Sequence, residues 1–249
     1  TAVGGTLDIE SVDGITVAGV VGDREVEAST LGRAKVGTMR IVSLSGDVNL
    51  MRNVNVRDNL TVQGRDVNLL SGSYVYASGV DSELYLTARD DLQMSGRAVV
   101  AGLDPAIAKA GKLLHFVAPD MNIDGTIEVT GIDGRVLLSA NSTVEIGGTL
   151  VSAGDITINA GVRSSWVRSD LEGVVARADL FGGSILVEGQ GVVDAVGTVT
   201  LRAGGAVTLD ADATVATLET VLRPNYRLVE REVQVVVDTV KVAAGNTLV

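Results

Sequence analysis

The stretch Gly154-Asp155-Ile156-Thr157-Ile158-Asn159-Ala160 alternates apolar and polar residues behind a Gly-Asp pair. Period-two alternation predicts a short β-strand in which Ile156 and Ile158 face a core while the intervening polar residues, Asn159 among them, face water. Glycine followed by Asp or Asn supplies the tight backbone that a bend before the strand needs. The stretch therefore predicts a turn followed by a half-buried strand.

The same pattern recurs along most of the chain, at Gly46–Leu50, Arg65–Leu69, Gly134–Leu138, Gly183–Val187 and Gly197–Leu201. Counted from the first apolar strand position, Val48 and Val67 are 19 residues apart, and Val136 and Ile156 are 20 apart. Leu92 and Val136 are 44 residues apart, which we interpret as two units with an insertion. A unit of about 20 residues with short alternating strands predicts one coil of a parallel β-helix, in which stacked coils bury a common core.

The predicted organisation is a single all-β solenoid over residues 1–217, followed by an extended segment over residues 218–249. At about 4.8 Å per strand step, roughly 12 coils would form a rod of about 55–60 Å. The solenoid is interrupted at about residues 103–116, where Asp104 and Pro105 have the residue types of a helix start. We expect a short helix or loop there, and we expect a strand to resume at Leu113. Residues 121–215 read as regular.

The C-terminal segment departs from the repeat. Arg223-Pro224-Asn225-Tyr226 predicts a turn, and residues 227–242 form an extended run longer than a solenoid strand. Such a strand could cap the solenoid, continue it, or pair with a neighbouring chain as an assembly contact. The sequence leaves these three roles open.

Composition and charge exclude several classes of partner. The 249 residues carry a net charge of −11 at pH 7, and they include no cysteine. A surface of this sign disfavours nucleic acid and anionic membranes, and it helps to keep rods apart. The absence of cysteine excludes disulfides and thiolate metal sites. No apolar run approaches the roughly 18 residues of a membrane span. Because the chain starts at Thr1 without a signal peptide, we expect a processed chain or, by preference, a segment of a longer one.

Candidate catalytic residues are few. The single histidine, His115, lies between apolar residues and is expected to be structural. The carboxylates of Asp90 and Asp91 would point to opposite faces of a strand, whereas Asp210 and Asp212 would share a face but also fit a turn. Paired carboxylates from adjacent coils would be needed for a polysaccharide hydrolase or lyase. We predict no catalytic residues and no enzyme, with a polysaccharide-acting β-helix enzyme as the alternative.

One segment has the start of a calcium-binding motif. Asp120-Met121-Asn122-Ile123-Asp124-Gly125 matches the opening of a calcium loop. However, Gly131 occupies the twelfth position, where the loop needs a bidentate Glu. We predict a turn between strands, no metal and no cofactor, and calcium binding at Asp120–Asp124 stays the weaker alternative.

The repeats resemble the haemagglutinin-type repeats of filamentous haemagglutinin and related large bacterial exoproteins. The units Gly154–Gly161 and Gly197–Leu209 carry this resemblance best, and it covers roughly residues 41–100 and 121–215. It implies a right-handed parallel β-helix that serves as a surface-exposed fibre, often in adhesion. The likeness is specific for architecture and weak for function.

These observations together give the expected function. We expect a structural β-solenoid segment of a large secreted or cell-surface bacterial protein, acting as a fibre or scaffold in adhesion or self-assembly. The expected partners are copies of itself or other parts of a larger chain, and a host or neighbouring-cell surface, without nucleic acid or membrane insertion. The expected location is extracellular or at the bacterial surface. A trimeric phage or secretion-spike component is a further alternative, although intertwined spikes favour shorter repeats.

Overall fold

The computed structural model describes residues 5–21, 36–79, 82–100, 113–131, 133–162, 182–217 and 233–242. Every regular element in these ranges is a β-strand. None of the same residues forms a helix with the length and hydropathy of a membrane span.

In chain order, the strands are β1 (Gly5–Ser11), β2 (Ile15–Val17), β3 (Val36–Ser43), β4 (Val48–Leu50), β5 (Val54–Val56), β6 (Asn59–Gly64), β7 (Val67–Leu69), β8 (Tyr74–Ala77), β9 (Glu83–Ala88), β10 (Asp91–Met94), β11 (Arg97–Val100), β12 (Leu113–Ala118), β13 (Asp120–Ile123), β14 (Thr126–Val129), β15 (Arg135–Ala140), β16 (Thr143–Ile146), β17 (Thr149–Ser152), β18 (Asp155–Ala160), β19 (Ser184–Val187), β20 (Val192–Ala195), β21 (Val199–Leu209), β22 (Thr214–Thr217) and β23 (Val233–Val242).

Parallel pairing arranges these strands in three stacks, through which the chain passes in turn. Stack 1 contains β1, β3, β6, β9, β12, β15 and β18; stack 2 contains β2, β4, β7, β10, β13, β16 and β19; stack 3 contains β5, β8, β11, β14, β17, β20 and β22. The long strand β21 pairs with β18 through its first half and with β19 through its last residues, so it closes stacks 1 and 2 into one sheet. β23 pairs in parallel with β21 as the next layer. The predicted all-β solenoid is confirmed at this level.

The register confirms the predicted repeat length. Paired positions are 19 residues apart for Val48 and Val67, and 20 apart for Val136 and Ile156. Where no long connection intervenes, one layer therefore uses about the predicted number of residues. Each strand forms backbone hydrogen bonds with the strand above or below it in the same stack. This stacking is needed because a single repeat cannot bury its own apolar face.

Two expectations about the repeat are wrong. With β21 and β23 added to its seven strands, stack 1 contains nine layers among the described residues rather than twelve, which gives eight strand steps and a length of about 38 Å. Leu92 and Val136 are not equivalent positions, because Leu92 pairs with Val67 in stack 2 while Val136 pairs with Leu114 in stack 1. The turn-and-strand motif itself occurs in both stacks. The reason is local: any corner that precedes a half-buried strand favours the same residues.

Long connections explain the missing layers. Ile156 pairs with Val199, 43 residues further on, and the connection from β18 to β19 spans residues 161–183. The expectation that residues 121–215 are uninterrupted is therefore wrong. The predicted strand restart at Leu113 is confirmed by β12, whereas the predicted helix or loop before it lies outside the described residues. The turn predicted at Arg223–Tyr226 also lies outside them, and the extended run after it is a strand over Val233–Val242.

The core is a set of apolar columns that run along the solenoid axis. One column in stack 1 begins at Ile9 and continues through fully buried residues of the next seven layers, namely Ile41, Val62, Leu86, Phe116, Leu138, Ile158 and Leu201. In this column apolar side chains alone, aliphatic except for Phe116, fill the interior of the layers. Alternation along the strand supplies these columns, as in β18, where Ile156 and Ile158 are buried.

Side chains at the corners hydrogen-bond the backbone of the following layer. A carboxylate or amide oxygen accepts the backbone N–H of the next strand in four places: Asn59 from Glu83 at 3.2 Å, Asp66 from Asp91 at 3.3 Å, Asp120 from Thr143 at 3.1 Å and Asp155 from Thr198 at 2.7 Å. In the outward column of stack 2, Asn68 donates to Asn49 at 2.9 Å. The four bonds to backbone N–H groups satisfy donors at the bends, where strand pairing ends.

The corner between stacks 2 and 3 requires glycine. A Cβ on Gly148 would collide with the carbonyl oxygen of Gly125, which is held in place because it accepts the backbone N–H of Thr149 at 2.9 Å. Gly125 itself faces the carbonyl oxygen of Gly96 in the same way. Because the layers must approach this closely at the bend, only a residue without a side chain fits.

Replacing Gly148 by Ala should destabilise the fold by about 2–3 kcal/mol, since backbone rather than a flexible side chain must move. Chemical denaturation followed by circular dichroism measures this loss. Gly19→Ala is the matched control, because a Cβ at Gly19 meets nothing within 4 Å. Equal stability of the two variants would show that the layers are not packed at this corner as described.

Candidate functional site

His115 lies on the outward side of β12 and is nevertheless buried, with 6% of its surface exposed. Its ring packs edge-on against Tyr85 in the adjacent layer, with 5.8 Å between the ring centroids. Burial lowers the pKa of His115 to about 4, so the imidazole is neutral at pH 7. Its Nε2 atom has no hydrogen-bond partner, whereas a catalytic base needs a group to act on and a group to orient it.

The folded protein should show a single histidine resonance that titrates near pH 4. Free histidine titrates near 6.5, so between these values the unfolded chain binds more protons than the folded chain. Stability should therefore fall as the pH is lowered from about 6.5 to about 4. Proton NMR of the imidazole measures the midpoint, and His115→Phe should remove this part of the pH dependence. A midpoint near the free value would contradict the buried position.

The structure does not bring together the carboxylates that the sequence offers for catalysis. Asp91 is the first residue of β10, and Asp90 precedes it in the turn. Asp210 follows β21, where its side chain accepts the backbone N–H of Gly189 at 3.1 Å and its carbonyl oxygen accepts the N–H of Ala213 at 3.0 Å. These bonds place Asp210 in a turn between layers, and Asp212 lies in that turn. The four residues thus belong to two different corners of the solenoid.

The calcium-like segment is a strand and not a loop. Residues Asp120–Ile123 form β13, with Met121 and Ile123 directed into the core. Asp120 uses one carboxylate oxygen to accept the backbone N–H of Thr143. Alternate residues of a strand are about 6.6–6.8 Å apart, so Asp120 and Asn122 are spaced along β13 and do not follow the curved backbone of a calcium loop. Among the described residues, no group of three or more His, Asp or Glu side chains could hold a metal.

A small aromatic cluster lies on the outward side of stack 3. Tyr74 and Tyr76 of β8 stack with 5.6 Å between ring centroids, and the Arg97 guanidinium lies 5.5 Å from the Tyr74 ring centroid. Arg97 also forms an ion pair with Glu128 in the next layer. Burial raises the pKa of Tyr76 to about 12. The cluster links three successive layers by stacking, cation–π and ionic contacts.

Four aspartates form a column along the corner between stacks 1 and 2. The register places Asp47, Asp66, Asp91 and Asp120 one after another in adjacent layers. Arg65 pairs with Asp47 at 2.7 Å and with Asp66 at 3.5 Å, which offsets the charge at one end of the column. At Asp91, burial and the neighbouring charges of Asp66, Asp120 and Asp90 raise the pKa of the carboxyl group.

Asp91→Asn should stabilise the protein at pH 7 by about 0.2–1 kcal/mol, the range for pairs directly opposite one another on a sheet. Because the folded-state pKa of Asp91 is raised, its carboxyl group destabilises the fold once the pH exceeds that pKa. The gain should therefore disappear below about pH 4, where unfolded-state aspartate is also protonated. Thermal unfolding of both proteins across this pH range measures the difference. A stabilisation that persists unchanged in acid would contradict the repulsion.

The long connections between the described strands all begin or end at stack 1. Three of them run from stack 3 to stack 1, namely those that follow Val21, Val100 and Thr217, and the fourth runs from β18 in stack 1 to β19. Insertions in repeat proteins tend to collect on one face, which is often the binding face. The edges of stack 1 are therefore where this chain departs most from its repeat.

The outward side of stack 1 is buried to an unusual degree. Its buried residues lie outside the core cluster and include Val42, Leu113, Val117, Ser139, Asn159 and Thr200. Asn159 is fully buried, and neither amide atom has a hydrogen-bond partner. The expectation that Asn159 faces water is therefore wrong. The alternation of apolar and polar residues predicts correctly that Asn159 points away from the core. It does not predict whether a residue on that side of the sheet is exposed to solvent.

The N-terminal end of the solenoid is the most apolar part of the described surface. The large apolar side chains that are exposed among the described residues all lie in turns of the first three layers: Val12, Val20, Leu44, Met51 and Leu70. The inward residues Leu7, Ile9 and Ile15 of the first layer are only partly buried. Val12 and Leu44 lie at the corner between stacks 1 and 2, whereas Met51 and Leu70 lie at the corner between stacks 2 and 3. The sequence pattern did not single out this end, because its strands look like those of the interior.

No family model matches this chain, and neither a curated protein nor a solved structure is significantly similar to it.

Proposed function

We propose that this chain is a structural β-solenoid segment of a large secreted or cell-surface bacterial protein, with the form of a right-handed parallel β-helix of about 20 residues per coil and small insertions. It acts as a fibre or scaffold in adhesion or self-assembly. The observation that carries this proposal is the continuous parallel pairing of strands through the layers of stack 1, together with the apolar core that the described side chains share. Such a stack gives a stiff, extendable body whose length depends on the number of layers.

The right-handed form is supported by general chain geometry. Connections between parallel strands of one sheet are right-handed in about 98% of cases. The resemblance of the repeats to haemagglutinin-type repeats supports the same hand. It also supports a bacterial exoprotein with an extracellular or surface location.

The use of the polar residues favours a scaffold over an enzyme. Asp66, Asp120, Asp155 and Asp210 each accept a backbone N–H of a neighbouring layer or turn, so their carboxylates have a structural use. The single histidine is buried and unpaired at Nε2. A polysaccharide-acting enzyme is the alternative, and the partly exposed Tyr74–Tyr76 pair beside Arg97 and Glu128 is the observation that favours it.

A trimeric spike is disfavoured by the closed core. Residues of the three stacks are fully buried within one chain, for example Leu60, Leu92 and Leu150. Intertwined chains would instead share a core and lack a stable folded monomer. The proposed partners are copies of the chain or other parts of a larger protein, together with a host or neighbouring-cell surface.

Intact producing cells should expose this protein. We expect an antibody against the folded solenoid to label unpermeabilised cells or extracellular material, and external protease to remove that label. Labelling of a cytoplasmic protein in the same cells is the control and should require lysis. A label that appears only after permeabilisation would contradict the proposed location. Release of reducing ends from a polysaccharide panel by the purified protein would instead favour the enzyme.

A further inference from the structure

The outward side of stack 3 carries a compact group of aromatic and charged side chains. In the register, Tyr74 of β8 lies opposite Arg97 of β11. Tyr76 lies opposite Val99, which in turn lies opposite Glu128 of β14. These five residues, the stack 3 patch, span three layers. The patch extends about 10 Å along the axis and about 7 Å across it, since layers are about 4.8 Å apart and alternate residues of a strand about 6.6–6.8 Å.

The tyrosines of the patch are placed differently from the other aromatic residues that the structure describes. Aromatic residues make up only 3% of the chain. Phe116 lies in the core, and Tyr85 packs against His115, so both have a structural contact. Tyr74 and Tyr76 are instead half-buried and stack side by side on an outward face. Among the described residues, no second ring and no guanidinium lies against Tyr76, so this ring can stack on a ligand.

The polar groups of the patch include both donors and acceptors. Burial raises the pKa of Tyr74 and raises the pKa of Tyr76 to about 12, so both phenols keep their protons at pH 7 and can donate. The side chain of Arg97 is 51% exposed although it pairs with Glu128. Guanidinium N–H groups therefore remain to donate, and the carboxylate has further sites at which to accept. A ligand rich in hydroxyl groups can use both kinds of partner.

The charge of the patch selects between classes of ligand. Arg97 and Glu128 neutralise one another, so the patch has no net charge, whereas the chain as a whole carries −11. An acidic polymer would be repelled by the chain and would compete with Glu128 for the guanidinium. A basic ligand would meet the guanidinium of Arg97. A neutral ligand with an apolar face and several hydroxyl groups matches both the ring and the charge balance.

We propose that the stack 3 patch binds a neutral saccharide. The C–H face of a sugar ring packs on Tyr76, and its hydroxyl groups bond to Arg97 and Glu128. Tyrosine suits this contact because it offers a large, rigid surface at a low cost in conformational entropy. The proposal rests on the proposed role in adhesion and names the chemistry that would be recognised on the opposing surface.

The same residues favour binding without cleavage. Hydrolysis of a glycosidic bond ordinarily uses two carboxyl groups, one on each side of the bond. The patch contains a single carboxyl group, that of Glu128, which is held in the ion pair with Arg97. The patch can therefore hold a saccharide but does not supply the pair of groups that would cut it.

Affinity electrophoresis with soluble polysaccharides tests the proposal. The folded protein would migrate at pH 7 through native gels that contain a neutral glucan, mannan, galactan or xylan, or the acidic polygalacturonate. We expect at least one neutral polysaccharide to retard the protein and polygalacturonate to leave its migration unchanged. Retardation by none of the neutral polysaccharides, or by polygalacturonate alone, would overturn the proposal.

Substitutions then assign the binding to the patch. Tyr76→Ala should weaken binding of the retarding polysaccharide by about tenfold or more, because it removes the stacking ring. Tyr76→Phe keeps the ring and should retain most of the affinity, whereas Arg97→Ala should lower it. Arg40→Ala is the matched control, since Arg40 is also a partly exposed arginine in an ion pair, with Asp8 on stack 1, and it should bind as the unmodified protein does.

Circular dichroism and thermal unfolding check that each variant keeps its fold. Unchanged affinity in both Tyr76→Ala and Arg97→Ala would overturn the assignment to this patch. Failure of this proposal and failure of the proposed function give different results. A protein that labels on intact cells but binds no saccharide would overturn the patch and leave the scaffold role standing.

Discussion

The structure depends on parallel backbone pairing between one coil and the next. A single coil of this chain buries neither its apolar side chains nor the polar groups along its strands, so each layer is stable only when another layer lies on it. The columns from Leu7 to Val199 and from Ile15 to Val207 are the result of this requirement repeated along one axis. Two further features allow the coils to lie this close together. Gly125 and Gly148 leave room at one corner, and aspartates such as Asp120 accept a backbone N–H of the next layer.

This dependence also explains which features the sequence predicts. The alternation in Gly154–Ala160 and the 19- to 20-residue spacing predict strand, turn and repeat length, because these are local or nearest-layer properties. The same local pattern appears in stacks 1 and 2, so Leu92 and Val136 look equivalent although they are not. The long connection between β18 and β19 escapes prediction because its strands keep the repeat pattern on both sides.

Functional surfaces were harder to predict than the fold, for a physical reason. The burial of Asn159 depends on what lies above the sheet, and the exposure of Leu7 and Ile9 depends on the absence of a layer in front of them among the described residues. Neither condition changes the local residue pattern. The expectation of a structural histidine needed only the apolar neighbours of His115, whereas its contact with Tyr85 needed the register.

The layer spacing is the central claim, and distances between paired spin labels test it most directly. One label at Thr157, combined in turn with a label at Arg40 or at Asp8, spans five or six layers of a single column. Pulsed electron paramagnetic resonance should give distances of about 24 Å and about 29 Å, since each layer adds about 4.8 Å. Equal distances, a reversed order or a broad distribution without a defined step would contradict the stacked register.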